Sequence, residues 1–222
     1  FNIAMQDLDI RGAGNLFGAE QSGFIADIGF ETYHKILCEA IEELRADGVE
    51  GVERLVTGSS DGRIRYVSDC YIETDVEAGF PDDYISQSAE KLKLYRELDS
   101  ITEDARLDEF VSQLQDRFGP LPRQTAELVG VVRLRRMCVE MGIERVKIKN
   151  GIMLLHFVSD SDSSYYKSDL FNGVLQFVLQ QKEKIVLKQN NNKLFLTVRN
   201  IKDIGDACSL LSRMCESVTG IL

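Results

Sequence analysis

The 222 residues predict an α+β fold: a helical, hairpin-like amino-terminal segment, then an α+β domain of antiparallel hairpins packed against helices. Two observations predict it. Through most of the first 140 residues apolar side chains recur at i, i+3 and i+4. Beyond residue 142, short β-branched and apolar runs come in pairs around Asn-containing turns, and a helical pattern follows each pair.

Each element follows from its residues. Phe1, Ala4, Met5 and Leu8 fall at helical spacing, and Gly12 with Gly14 stops that helix. Phe30, Tyr33, Leu37, Ala40, Ile41 and Leu44 mark a second one. Residues 46–63 are turn-rich and apolar-poor, as in a linker. Residues 64–76 suit one strand, closed by Gly79 and Pro81. Helices are expected from about Asp82 to Leu98 and from about Thr102 to Phe118, the latter capped by Thr102 or Asp104, ended by Gly119-Pro120 and burying the stripe Leu107, Phe110, Val111, Leu114 and Phe118. Pro122 suits the first turn of a helix reaching Met141 and stopping at Gly142. Ile143–Lys149 and Ile152–Val158 flank Asn150-Gly151, a strong hairpin signal. Residues 163–181 read as a helix through Leu170, Val174, Phe177 and Val178. Ile185–Lys188 and Leu194–Val198 flank Asn190-Asn191-Asn192, and Ile204, Cys208, Leu211 and Cys215 mark a last helix. The expected division is residues 1–45, a linker at 46–63, and a domain at 64–222.

Composition narrows the function classes. The chain is 44% hydrophobic, enough for a real core, and its apolar runs are too short to span a bilayer. Its five cysteines form no C-x-x-C pair and are expected as reduced core thiols of a cytoplasmic protein. His34 and His156 lie far apart, without Cys or His at ligand spacing, so no metal is expected. Residues 1–130 hold 12 Lys+Arg and 27 Asp+Glu, net −15; residues 131–222 hold 14 and 9, net +5, which together make the overall −10. Such a chain is expected to hold duplex DNA poorly on its own. Arg133, Arg135, Arg136, Lys147 and Lys149 cluster in sequence, either as a solvated helix face and strand edge or as a nucleic-acid patch. No catalytic triad, H-E-x-x-H or nucleophile elbow occurs, and no enzyme activity is expected of the chain itself.

The glycines of the first thirty residues are not a nucleotide cradle. Counting from Gly12, Phe17 occupies the third-glycine position of the dinucleotide fingerprint, and the dipeptide Gly-Lys of a P-loop occurs nowhere. They instead punctuate a loop presenting Arg11, Glu20 and Gln21. The run Asp7-Leu8-Asp9-Ile10-Arg11-Gly12-Ala13-Gly14-Asn15-Leu16-Phe17-Gly18, with Gln21-Ser22-Gly23, resembles the translocation signature shared by RecG and the transcription-repair coupling factor (Mfd) family of bacterial double-stranded DNA translocases. Gly29-Phe30-Glu31-x-Tyr33, Phe80-Pro81-Asp82-Asp83-Tyr84-Ile85 and Asp116-Arg117-Phe118-Gly119-Pro120-Leu121-Pro122 resemble the coupling factor in the same order, where RecG has no continuation. With its start inside a helix, the chain reads as part of a longer protein.

The resemblance implies roles. The parent would be an ATP-dependent translocase that displaces stalled RNA polymerase and recruits nucleotide excision repair, with ATP and magnesium held outside this chain. Arg11 and Gln21 would couple hydrolysis to movement, with Gly12, Gly14, Gly18 and Gly23 supplying backbone geometry. Residues 64–222 would be regulatory, docking on an amino-terminal UvrB-like module of the same chain and masking its UvrA-binding surface. Asp116 and Arg117 match the contact positions. Gln113, at i and i+3/i+4 from them, stands where an acidic residue is often found. The alternatives are a RecG-like fork-remodelling fragment or a free-standing interaction module.

Overall fold

A computed structural model describes residues 65–190 and 193–219. Residues 1–45, with Arg11, Gln21 and the four glycines, lie outside the described residues, as do the 46–63 segment and Asn191 and Asn192 of the second turn. The described residues form two compact units: 79–122, and 65–78 with 123–219.

In the first unit, Pro81 opens a single turn, with the Tyr84 and Ile85 N–H groups both donating to its carbonyl at 3.1 and 2.9 Å. The turn does not continue as a helix. α1 spans Ser88–Asp99, starting later than the expected Asp82, after Gln87 in extended backbone. Anchoring overrides local propensity here: Ile85 is buried, and the Tyr84 hydroxyl is held by carbonyls of the next helix end. That helix, α2, spans Asp104–Phe118. Its cap position is Glu103, between the two expected capping residues, and the Glu103 side chain makes no capping bond. Leu107, Phe110 and Leu114 are its buried stripe. Val111 and Phe118, expected in the same stripe, are only half-buried. Gly119, at φ +88°, ends the helix and donates its N–H to the Gln115 carbonyl at 2.9 Å.

The second unit is a five-stranded sheet under three helices. β1 spans Tyr71–Thr74, α3 Arg123–Glu140, β2 Ile143–Lys149, β3 Ile152–Phe157, α4 Asp169–Gln180, β4 Ile185–Asn190, β5 Lys193–Arg199 and α5 Ile204–Thr219. The order across the sheet is β1-β2-β3-β5-β4. Asn150 and Gly151, at φ 52° and 72°, make the tight turn between β2 and β3. The expected helix over 163–181 is broken: a 3-10 turn at Ser164–Lys167 precedes α4, and extended Ser168 caps α4 by accepting from the Phe171 N–H. The sheet is mixed rather than purely antiparallel, because β1 runs parallel to β2 with Tyr71 opposite Arg145. The long connection between these strands permits the crossover that parallel pairing requires.

One face of the sheet is dry. Ile72, Val146, Ile148, Met153, Leu155, Leu196 and Val198 are buried, and the register places them on one side. Against it lie α3, packed on β1 and β2, and α4, packed on β4, with α5 alongside both helices. A Cβ at Gly130 would sit 2.9 Å from Ile204 Cγ2, so α3 and α5 approach closely there. Glu127 on α3 also accepts from the Ile204 N–H at 3.1 Å, satisfying a donor at the start of α5.

Candidate functional site

The carboxy-terminal half of α2 is the part of the described chain that carries the expected interface residues. With Leu107, Phe110 and Leu114 turned inward, helical geometry leaves Gln113, Asp116 and Arg117 exposed. They share a surface but not a network. Arg117 Nη2 meets Glu90 Oε1 of α1 at 2.8 Å, and its guanidinium lies 4.8 Å from the centroid of the Phe118 ring. Gln113 turns the other way, donating weakly to Glu109 at 3.5 Å, while Glu109 accepts from Arg106 at 2.6 Å. Asp116 has no polar partner among the described residues. The helix terminus favours a cation at Arg117 and gives no such support to Asp116.

The site is positioned by the segment before α1. Phe80 donates its N–H to the Tyr95 hydroxyl at 3.2 Å, and the two rings lie 4.8 Å apart. Burial pushes the Tyr95 phenol upward, outweighing the lowering effect of that bond, so it is neutral and able to donate. Lys91, whose side chain is 6% exposed, reaches back to Asp82. The Tyr84 ring packs against Phe118 at 5.8 Å, and its hydroxyl is shared between the Gly119 and Leu114 carbonyls at 3.0 and 3.3 Å. The 80–85 and 116–122 motifs therefore meet in space, and the first closes the end of the helix that bears the second.

Two features were not visible in the sequence. Glu90, partner of Arg117, lies in another element, and no local pattern marked it, because its place on the first turn of α1 follows from the later helix start. A cleft of about 340 Å³ opens between the ends of α1 and α2, lined by Ser100, Ile101, Glu103, Arg106, Phe110 and Gln113 among others. Gln113 thus faces the cleft side of α2.

The clustered basic residues do not form one patch. Arg133, Arg135 and Arg136 lie on α3, where Arg135 pairs with Asp69 at 2.6 Å. Lys147 and Lys149 lie on the sheet face away from the helices, by the register that buries Val146 and Ile148. Among the described residues no group of three or more His, Cys, Asp or Glu could hold a metal ion, and no helix is long and apolar enough to cross a membrane.

A model of the TRCF domain matches residues 74–168, a span containing both motifs that lock α2 in place. Over that span the chain is similar to transcription-repair coupling factors. It is 29% identical to the transcription-repair-coupling factor of Rickettsia bellii over 196 residues, covering 88% of this chain and 16% of that protein. With the Mycobacterium tuberculosis protein of the same name the identity is 36% over 144 residues, 65% of this chain and 11% of the relative. With that of Staphylococcus epidermidis it is 27% over 221 residues, 100% and 18%. The chain therefore spans less than a fifth of the length of these curated relatives. The crystal structure of the C-terminal domain of transcription-repair coupling factor superposes with a TM-score of 0.54 at 21% identity, over 69% of this chain and 94% of that one. That likeness concerns the fold.

Proposed function

We propose that this chain is the carboxy-terminal regulatory part of an ATP-dependent double-stranded DNA translocase that displaces stalled RNA polymerase and recruits excision repair. In this reading it performs no chemistry of its own. It restrains the parent by docking the end of α2 on a UvrB-like module of the same polypeptide, which masks the surface that UvrA needs. The observation that carries the proposal is the exposed Asp116, without a polar partner among the described residues, beside an Arg117 whose side chain is still 53% exposed although paired. Two adjacent opposite charges on a rigid helix end suit charge-assisted contacts with a matching surface. A weak interface within one chain gains from high effective concentration, so it can hold the closed state and still release.

The test is a UvrA pull-down with the full-length parent and its Asp116→Ala/Arg117→Ala double variant. Stronger UvrA capture and faster basal ATPase are expected, with unchanged circular dichroism because the apolar stripe is untouched. Equal capture by two folded proteins would remove α2 from the restraint. The same parent tests the coupling role of the amino-terminal signature. Arg11→Ala or Gln21→Ala should leave ATP hydrolysis largely intact and abolish movement along DNA, and normal movement by both would reduce those side chains to loop structure.

A further inference from the structure

The second face of the sheet has a composition unlike the rest of the chain. By register, one row runs across all five strands: Tyr71, Arg145, His156, Phe195 and Lys188. A second row holds Glu73, Lys147, Leu154, Thr197 and Val186, and a third Lys149, Ile152 and Arg199. Lys193 shares the face two residues before Phe195. Six cations thus stand against Glu73 within these rows, with Asp75 just beyond the end of β1, in a chain of net charge −10. Arg145, Lys149, Lys188, Lys193 and Arg199 are exposed, and Ile152 and Val186 expose 42% and 41% of their surface.

Between the cations lie flat groups. The His156 imidazole stacks on the Phe195 ring at 5.3 Å and 25°, and the Arg145 guanidinium lies 5.4 Å from the centroid of the Tyr71 ring. The field of the cations is felt locally. Burial first, then Arg145 and Lys193, hold His156 below its ordinary pKa, and the Lys147 hydrogen bond leads the influences that lower Glu73. Glu73 offsets part of this through its 2.7 Å pair with Lys147, and the Asp75 carboxylate, beyond the end of β1, accepts from the Asn150 N–H at 2.8 Å.

We infer that this open face binds single-stranded DNA, its bases lying on the Phe195–His156 platform and its phosphates on the surrounding cations. Rings interleaved with cations are what a strand with unpaired bases uses. A duplex hides the base faces and could engage only the charges, and an acidic protein surface would leave the rings without a counterpart. Adjacent strands lie about 4.8 Å apart, so the five-strand row spans roughly 20 Å, a few nucleotides. Ile152, Leu154 and Val186 add apolar surface of the kind that contacts a thymine methyl. Uracil lacks that methyl, so this apolar surface favours DNA over RNA. This inference concerns the sheet and is independent of the α2 interface.

The experiment is fluorescence anisotropy of the whole chain with a labelled twenty-nucleotide oligothymidylate across a salt series, competed with oligouridylate, a duplex and polyglutamate. Binding should weaken with salt, with a logarithmic slope no steeper than about −4 for six phosphate contacts. Phe195→Ala should weaken binding roughly tenfold with the slope unchanged. Lys188→Glu with Arg199→Glu, both exposed, should flatten the slope in a protein of unchanged circular dichroism. No binding, indifference to Phe195→Ala, or competition by duplex, oligouridylate or polyglutamate as effective as unlabelled oligothymidylate would each overturn the assignment.

Discussion

The Tyr84 hydroxyl donates to the Gly119 carbonyl at 3.0 Å, and so joins the turn before α1 to the residue that ends α2. The bond satisfies a carbonyl beyond the last helical turn, where the backbone has no partner of its own. It also holds the Tyr84 ring on Phe118, next to the Asp116-Arg117 pair. Burial raises the Tyr84 pKa, so the phenol remains a donor throughout the neutral range.

Tyr84→Phe keeps the ring and removes only the hydroxyl shared between the Gly119 and Leu114 carbonyls. The expected loss is about 1 kcal/mol of stability, the net worth of a partly buried hydrogen bond. Urea unfolding should show it as a lower midpoint with an unchanged slope. An unchanged midpoint would mean that water replaces the hydroxyl without loss.

Why parts of this were legible and others not follows from distance along the chain. The inward stripe of α2 and the Asn150-Gly151 turn are local patterns, and both were readable. The start of α1 was not, because Tyr84 and Ile85 answer to partners outside their own helix. Tyr71–Thr74 pairs with residues far along the chain, so neither its shortness nor its parallel direction had a local signal. Glu90 and Arg117 are 27 residues apart, and no helical spacing connects them. The basic sheet face is assembled from β2, β4 and β5. In sequence Lys147 and Lys149 cluster instead with the α3 arginines, which the fold places on the other side of the sheet.

The buried Lys91 gives an asymmetric prediction. Its side chain is 6% exposed while that of Asp82 is 83% exposed, so the ion pair is dry at one end and wet at the other. Asp82→Ala leaves an ammonium buried without that carboxylate and should cost about 1–2 kcal/mol. Lys91→Met removes the charge and keeps the packing, and should change stability by less than about 1 kcal/mol. Thermal unfolding of the two variants side by side decides it: a larger loss for Lys91→Met would show that the ammonium is not stranded without Asp82 and that Lys91 stabilises through contacts other than this pair.

Two glycines with the same backbone sign should respond differently. Gly119 and Gly142 both have positive φ, at 88° and 71°. A Cβ on Gly119 meets nothing within 4 Å, whereas one on Gly142 would lie 2.3 Å from the buried Tyr165 ring. That ring is pinned by its hydroxyl, which donates to the Met141 carbonyl at 2.7 Å, so it cannot retreat freely. Gly119→Ala, at a ψ of −166° that essentially only glycine adopts with this φ, should cost about 2 kcal/mol from backbone strain alone. Gly142→Ala adds overpacking and should cost roughly 3 kcal/mol. Equal losses in denaturant unfolding would show that the Tyr165 ring relaxes at no cost.

The helix-covered side of the sheet carries thiols whose ionisation should oppose folding at alkaline pH. Cys70 and Cys138 are fully buried. Burial pushes Cys138 upward, Cys208 to about 11 and Cys215 to about 12. In the unfolded chain these thiols ionise near their ordinary value of 9.0. The folded state therefore binds more protons than the unfolded state once pH exceeds that value, and the sign of the linkage makes stability fall as pH rises. The phenols of Tyr95 and Tyr165, raised by burial, act in the same direction. The urea midpoint should decline as pH is raised through the ordinary thiol range and beyond. Near pH 8, iodoacetamide should label peptides containing Cys138, Cys208 and Cys215 rapidly in denaturant and slowly in the native protein, because the thiolate is the nucleophile. Rapid native labelling, or a midpoint that stays flat into the alkaline range, would show that these sulfurs are reached by solvent and that the layer between the helices and the sheet opens more readily than its packing implies.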